Sequence, residues 1–363
     1  MSYITPKFPK WRINAAGRRL AEGALLDDDP IVTDLVVINN WRSSHGFPLN
    51  AFHVTLRGRA RKFDPRAITA QRIKRLSSIE AKLRRFTKME LARMHDIGGC
   101  RAIVKNVSVV KQLVAAYKES ISKNPKRAEF VKEYNYIDNP KDDGYRCVHL
   151  VFRYRSAAKQ HVDYNGLRIE VQLRSQMQHS WATAVETVGT FIRQALKSSQ
   201  GEEKWLRFFA LMSTFIAMKE RTPLVPNTPS DLAELTRQLR EYAEQLGVIG
   251  HLQMYVATLL RIGEQKGQGY YLLELDPAQL HIRVTGYKPQ EYAKATTDYL
   301  NVEKQILSGA ILRDAVLVSA KSFSALKRAY PNYFLDTHRF IELVNEAVGP
   351  PPSARDVRKR KAH

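Results

Sequence analysis

The clearest pattern along the chain is the alternation Leu167-Arg168-Ile169-Glu170-Val171-Gln172-Leu173-Arg174. Successive side chains of a strand point to opposite faces, so this stretch buries Leu, Ile, Val and Leu and presents Arg, Glu, Gln and Arg on the other side. An ordinary half-exposed strand has the same pattern. What adds to it is its company: it follows His95-Asp96-Ile97-Gly98-Gly99-Cys100-Arg101 and Lys141-Asp142-Asp143-Gly144-Tyr145-Arg146, and it precedes a Trp-containing helical pattern.

Periodicity predicts the remaining elements. A helix is expected over about 11–21, and another from Pro30, where Ile31, Leu35, Ile38 and Trp41 recur at helical spacing. Pro48 is expected to separate that helix from a third over about 49–61. Residues 69–92 read as a strongly basic segment in which Ser77-Ser78-Ile79-Glu80 leads into a helix from Lys82 onward. Its charge run fits either a solvated face or a loop and helix start that hold a polyphosphate with point charges and free backbone N–H groups. Gly98-Gly99 reads as a tight turn into a buried strand ending near Val104, followed by a helix over about 108–122. Strands are expected near 130–137, 146–154 and 167–173, then helices over 175–196 and 202–219. Prolines 223, 226 and 229 mark a linker. Helical patterns over 231–264, strands near 270–275, 281–285 and 315–319, a helix near 291–306 and closing helices to 347 complete the chain. The expected class is α/β (α+β): a mixed sheet flanked by helices, its strands too unevenly spaced for a regular βαβ repeat, with an additional C-terminal α/β region.

Composition narrows the function. At 363 residues, 44% of them hydrophobic, the chain can bury full cores and is long enough for two domains. Lys and Arg outnumber Asp and Glu by 58 to 36, a formal net charge of +22. That excess suits polyanionic partners, although solvated surface lysines produce it too. The two cysteines, Cys100 and Cys147, exclude a disulfide framework and a zinc cluster and fit a reducing, cytoplasmic compartment. The most apolar run, 208–218, is too short to span a bilayer, so no membrane partner is expected.

Asp96 and Glu170 are the candidate catalytic and metal-holding pair. Two carboxylates from different strands can hold Mg²⁺, a hard cation that usually shares its oxygen ligands with phosphates, while nearby Arg and Lys neutralise phosphate charge. Tyr145, after Gly144, offers a flat face to a base. In their order along the chain these motifs resemble the synthetase domain of RelA/SpoT-type alarmone synthetases. The resemblance runs from about Arg72 to Glu186. It is carried by Arg72-Ile73-Lys74, Ser77-Ser78-Ile79 and Lys82, Asp96 to Arg101, Lys141 with Gly144-Tyr145-Arg146 and His149, Glu170 to Arg174, and Trp181-Ala182-Thr183. Trp41-Arg42-Ser43-Ser44-His45 resembles the helical lead-in of a small-synthetase branch, part of which is toxic.

The resemblance implies a nucleotidyltransferase-like fold and Mg²⁺-dependent transfer of pyrophosphate from ATP to the 3′-hydroxyl of GDP or GTP. It implies that Arg72 and Arg101 sandwich adenine and that Lys74, Ser78 and Lys82 hold the ATP phosphates. Tyr145 would stack on guanine, Lys141 and His149 would contact the acceptor's phosphates, and Gln172 and Arg174 would line the same face. Composition and patterning, with the resemblance placing the middle part, predict a linear division: a basic segment 1–30, a RelA/SpoT-like synthetase domain 31–200, an accessory domain 201–349 and a basic, disordered tail 350–363.

The chain departs from the family pattern at Cys147, usually Ser, at Asn135, usually Asp, at Tyr134, usually basic, and at Val185-Glu186, usually Glu-His. These lie mainly on the acceptor side. They leave open a toxin that pyrophosphorylates the 3′ end of tRNA, and a catalytically inactive nucleotide-binding regulator. A hydrolase dyad at His95-Asp96 lacks the His helix and Glu-Asp partner it needs. The C-terminal region is open to a regulatory ligand, an antitoxin role or homo-oligomerisation.

Overall fold

The order of the central strands follows from where the chain is apolar on one face or on both. We describe the protein from a computed structural model covering residues 3–24, 30–123, 128–195, 200–259, 269–276, 281–307, 313–319 and 337–349. Its strands are β1 (Ile68–Ile73), β2 (Gly98–Val104), β3 (Ala128–Asn135), β4 (Val148–Tyr154), β5 (Arg168–Ser175), β6 (Tyr270–Asp276), β7 (His281–Tyr287) and β8 (Asp314–Ser319). They form one eight-stranded mixed sheet in the order β3-β4-β5-β2-β1-β8-β6-β7. β2 lies parallel to β5 and antiparallel to β1, and β4 lies antiparallel to β5.

The chain forms two compact units, each drawn from several separate stretches of sequence rather than from one continuous span. One holds residues 1–134, 147–176 and 262–333; the other holds 135–146, 177–261 and 334–363. In the first, the apolar face of β2, β4 and β5 is covered by α3 (Gly46–Phe63) and α5 (Val107–Lys123). Phe52 of α3 and Tyr117 of α5 stack against Phe152 of β4, at ring-centroid distances of 5.4 and 5.6 Å. The N-terminal segment is part of this unit, since Ile13, Ala16 and Leu20 of α1 (Lys10–Glu22) are buried.

Several expectations are corrected here. The break between the two helices falls at His45 rather than at Pro48: α2 ends at Ser44, α3 begins at Gly46, and Pro48 lies in the first turn of α3, where its missing N–H costs no helical bond. The basic segment contains a strand, β1, before α4 (Leu76–Arg85) begins. Gly98 and Gly99 are no turn: both are paired within β2, Gly98 with Ile73 and Ile169, Gly99 with Arg72 and Glu170. A Cβ on Gly98 would lie 2.8 Å from Ile169 Cδ1 and 3.3 Å from His45 Cβ, so the strand needs glycine there to approach α3. A Cβ on Gly99 would meet nothing within 4 Å. The tail 350–363, the end 260–264 of the expected helical stretch and Leu196 lie outside the described residues.

The C-terminal strands complete the first unit. β8 pairs with β1 through Arg72↔Val318, and β6 pairs with both β8 and β7. α10 (Tyr292–Leu307) closes over them, packing Ala295 and Tyr299 against Leu272, Tyr287 and Ala315. α2 (Pro30–Ser44) is tied to α10 by a buried pair, Arg42 Nη1 to Glu303 Oε2 at 2.6 Å, both side chains almost fully enclosed.

In the second unit, α6 (Gln176–Ala195, from Met177 on) and α7 (Gln200–Glu220) are joined where Trp181 Nε1 donates to the Phe209 carbonyl at 2.8 Å. α8 (Leu232–Gln245), α9 (Val248–Leu259) and α11 (His338–Val348) pack with α7, and Trp205, Phe208, Phe209 and Phe340 form the aromatic centre.

The adjacent glycines give a paired test. Gly98→Ala overpacks a closed contact and is expected to lower stability by about 1–3 kcal/mol in chemical denaturation. Gly99→Ala enters open space and is expected to change it by less than about 0.5 kcal/mol. Equal costs at both positions would contradict the packing described.

Candidate active site

Strand registry sets the site. Cross-strand partners share a face, so Arg72 of β1, Gly99 of β2 and Glu170 of β5 form one row, while Arg101 of β2, Gln172 of β5 and His149 of β4 form the next. The polar face of the alternating strand is thus joined by polar residues from its neighbours. Ile169, Val171 and Leu173 are fully buried on the other side, as their spacing requires. Gly99, without a side chain, leaves room between Arg72 and Glu170.

Asp96 lies two residues before β2 and meets two cations. Lys74 Nζ is 3.0 Å from its Oδ2, and Lys82 Nζ is 2.9 Å from its Oδ1. Burial alone would raise the Asp96 pKa, but the two ammonium groups outweigh it and hold the carboxyl down at about 2. Burial lowers the Lys74 pKa despite the attraction of Asp96. Glu170 is 7% exposed. Its Oε1 accepts from Gln172 Nε2 at 2.7 Å and its Oε2 lies 3.2 Å from His149 Nδ1. Burial would raise its pKa; hydrogen bonds from His149 and Gln172 overcome both burial and the repulsion of Asp96, so it stays below the usual carboxylate value. The Asp96–Glu170 repulsion means that the two carboxylates share an electrostatic environment.

Two anionic carboxylates offer hard oxygen ligands but no closed cage. Among the described residues no group of three or more His, Cys, Asp and Glu could hold a metal by itself. The donor set fits a cation such as Mg²⁺ that takes much of its shell from phosphates and water.

All the sequence-predicted site residues except Lys141 and Tyr145 lie in the first unit: Arg72, Lys74, Ser78, Lys82, Asp96, Arg101, His149, Glu170, Gln172 and Arg174. Ser78 is in the first turn of α4 and Lys82 in its last. The start of α4 was expected to offer backbone N–H groups to phosphate. One of them, Leu76 N–H, instead donates to Glu303 Oε1 at 2.8 Å. Arg101 and Arg174 are buried, at 8% and 4% exposure.

Lys141 and Tyr145 belong to the second unit, on the segment 135–146. Lys141 Nζ lies over the rings of Tyr136 and Tyr145, at 4.4 and 5.3 Å. The segment is fixed by α7. Gly144 has φ +86°, and a Cβ there would lie 2.8 Å from Ser213 Cβ and 3.1 Å from Trp181 Cζ2. Ser213 Oγ donates to the Gly144 carbonyl at 2.7 Å and accepts from Arg146 Nε at 2.9 Å; Arg146 also donates to the carbonyls of Ile137 and Pro223. Burial depresses the Arg146 pKa to about 10, with Glu220 opposing. Arg146 is therefore an anchor for Tyr145 and Lys141.

The departures from the family pattern acquire local reasons. Cys147 is fully buried and its thiol reaches the Leu173 carbonyl at 3.4 Å, so it is a core residue. Asn135 Oδ1 accepts from the backbone N–H groups of Ile137 and Asp138, the turn-forming role an Asp would fill.

Residues 71–189 match the family model described as the region found in RelA/SpoT proteins. The chain is 31% identical over 120 residues to the GTP pyrophosphokinase YwaC of Bacillus subtilis (strain 168), covering 32% of this chain and 54% of that protein. It is also 31% identical over 120 residues to YjbM of the same organism, a GTP pyrophosphokinase, covering 31% and 51%. The chain spans about half the length of these curated relatives. Among solved structures, it is 21% identical to small alarmone synthetase 1 from Bacillus subtilis bound to its product pppGpp, with a TM-score of 0.40 over 49% of this chain and 89% of that one. For small alarmone synthetase 2 from Bacillus subtilis the values are 23%, 0.39, 52% and 94%.

The two lysines around Asp96 give a pH test. A depressed carboxyl pKa contributes stability that is complete above the unfolded value of 3.8 and lost as pH falls toward about 2. Lys82→Met is expected to raise the Asp96 pKa, read by carboxyl NMR titration, and to move acid unfolding to higher pH. An Asp96 titration unchanged by the substitution would contradict the ion pair.

Proposed function

We propose that this chain transfers the β,γ-pyrophosphoryl group of ATP to the 3′-hydroxyl of GDP or GTP, making (p)ppGpp and AMP. The observation that carries this reading is the single polar sheet face on which Arg72, Arg101, Glu170 and Gln172 stand in register, bordered by Asp96 between Lys74 and Lys82. In the reaction the acceptor 3′-oxygen forms a bond to the β-phosphorus while the bond from that phosphorus to the oxygen of the α-phosphate breaks. AMP leaves, and the hydroxyl proton passes to the Glu170 carboxylate, directly or through water.

Arg72 and Arg101 hold adenine between them, and Lys74, Ser78 and Lys82 take the donor phosphates. The lysines that now neutralise Asp96 then turn to phosphate oxygens, leaving the carboxylate for a cation. Asp96 and Glu170 would hold Mg²⁺, which when bound neutralises charge on the transferring phosphates. His149 and Lys141 contact acceptor phosphates, Gln172 and Arg174 line the face, and Tyr145 stacks on guanine. The substrates, and the buried free thiols of Cys100 and Cys147, suit a cytoplasmic setting. No described helix is long and apolar enough to cross a membrane.

The net charge of +22 favours a second acceptor, the 3′ end of tRNA, because cationic contacts to phosphate dominate nucleic-acid affinity. One assay separates the two. With γ-labelled ATP, GDP and tRNA present together, label is expected in a guanosine polyphosphate; label in tRNA supports the second acceptor, and label in neither overturns transferase function.

Two sets of variants test the roles. Asp96→Asn and Glu170→Gln each keep shape while removing a negative ligand, and are expected to lower transfer by at least about 10²-fold with the fold intact by circular dichroism. Wild-type turnover in either would remove that residue from the chemistry. Tyr145→Ala is expected to raise the KM for GDP much more than the KM for ATP; an unchanged GDP KM would end the stacking assignment.

A further inference from the structure

The segment joining β1 to α4 is held by groups far away in sequence. Arg42 of α2 donates to the Lys74 carbonyl from Nε at 3.1 Å and from Nη2 at 2.9 Å. The same guanidinium donates to Glu303 Oε2 from Nη1 at 2.6 Å and to Tyr299 Oη from Nη2 at 2.9 Å. Glu303 completes the grip by accepting Leu76 N–H at 2.8 Å, while Tyr299 donates to its Oε1 at 2.5 Å. The opening of α4 has no side-chain cap of its own, and Glu303 places a carboxylate at its positive end.

The main chain on both sides of Arg75 is therefore fixed by one buried pair, at 2% and 6% side-chain exposure. Lys74 N–H is also tied to the Ile97 carbonyl at 2.8 Å, and its Nζ meets Asp96. Fixing Lys74 and Leu76 sets both the origin of the Lys74 side chain and the axis of the helix that bears Ser78 and Lys82.

We infer that Glu303, acting through Arg42 and the Leu76 N–H, is a positioning residue for the donor-phosphate cradle, and that α10 is part of the ATP-handling machinery although it lies outside the matched region 71–189. This rests on the reading of Lys74, Ser78 and Lys82 as the ATP-phosphate side. A buried ion pair is a poor source of net stability, because desolvation offsets its attraction. What it supplies is geometry: Arg42 has a rigid planar fork, and here the fork and its carboxylate partner both end on the same three-residue stretch of backbone.

The test is calorimetric titration of a non-hydrolysable ATP analogue, and separately of whichever acceptor the wild type labels, GDP or tRNA, into the full chain. Glu303→Gln keeps an acceptor for Leu76 N–H but removes the charge that orients Arg42. It is expected to weaken ATP-analogue binding and raise the ATP KM by about tenfold or more, with acceptor affinity unchanged within about twofold. Tyr299→Phe, which keeps the ion pair and removes one hydroxyl, is expected to act in the same direction by about two- to threefold.

Unchanged ATP affinity in folded Glu303→Gln overturns the inference, as does an equal loss for ATP and acceptor, which marks a general structural role. If Glu303→Gln fails to fold, Tyr299→Phe decides: a selective ATP loss supports the inference and its absence overturns it. Failure of the wild-type chain itself to bind the ATP analogue overturns the functional reading and the inference with it, an outcome distinct from failure of the variants alone.

Discussion

The structure depends first on the placement of β2 between β1 and β5. A single registry decides which residues share the polar face: one step along β5 would exchange Glu170 for Ile169 or Val171 beside Gly99. The two glycines of β2 make that placement tolerable on both sides. Gly98 permits contact with Ile169 and His45 on the apolar face, and Gly99 keeps the polar face open beside Glu170. A strand of ordinary residues would separate β2 from α3 or fill the space between Arg72 and Glu170.

The second constraint is electrostatic. Asp96 and Glu170 repel each other within a mostly buried environment, and burial penalises both charges. Each remains ionised because cationic or donor groups face it: Lys74 and Lys82 for Asp96, His149 and Gln172 for Glu170. An ammonium group that satisfies a carboxylate can equally satisfy a phosphate oxygen, so Lys74 and Lys82 have the chemistry that the proposed function asks of them.

The alternation at Leu167–Arg174 was legible because its information is local: period two on the chain is period two on the sheet. β1 was not. Ile68-Thr69-Ala70-Gln71-Arg72-Ile73 has one buried residue, Ala70, and is ordered by pairing with β2 and with β8, more than two hundred residues away. Gly98-Gly99 misled for a different reason, since glycine marks close approach as readily as a turn and only the packed neighbours distinguish them. The ordered charged motifs mark the candidate residues, most of which the sheet registry gathers on one face, and Arg42 stands in the lead-in they follow. Nothing near Glu303 in sequence marks it, because its role is defined by a backbone carbonyl and a backbone N–H that carry no residue identity.

In the first unit, Glu303 and Tyr299 fix the main chain next to Lys74 and at the start of the helix carrying Ser78 and Lys82. In the second unit, Ser213 of α7 and the carbonyl of Pro223 fix Gly144 and Arg146, and so the segment carrying Lys141 and Tyr145. Both sets of supports lie beyond residue 189, where the family match ends. The matched region supplies the charged groups and the strand registry, and later residues in each unit help to hold its main chain: Glu303 at Leu76, and Ser213 and Pro223 at Gly144 and Arg146. A chain cut after that region would retain the motifs and lose the contacts that aim them. The C-terminal residues are therefore better understood as structural parts of the candidate site than as an appendage to it.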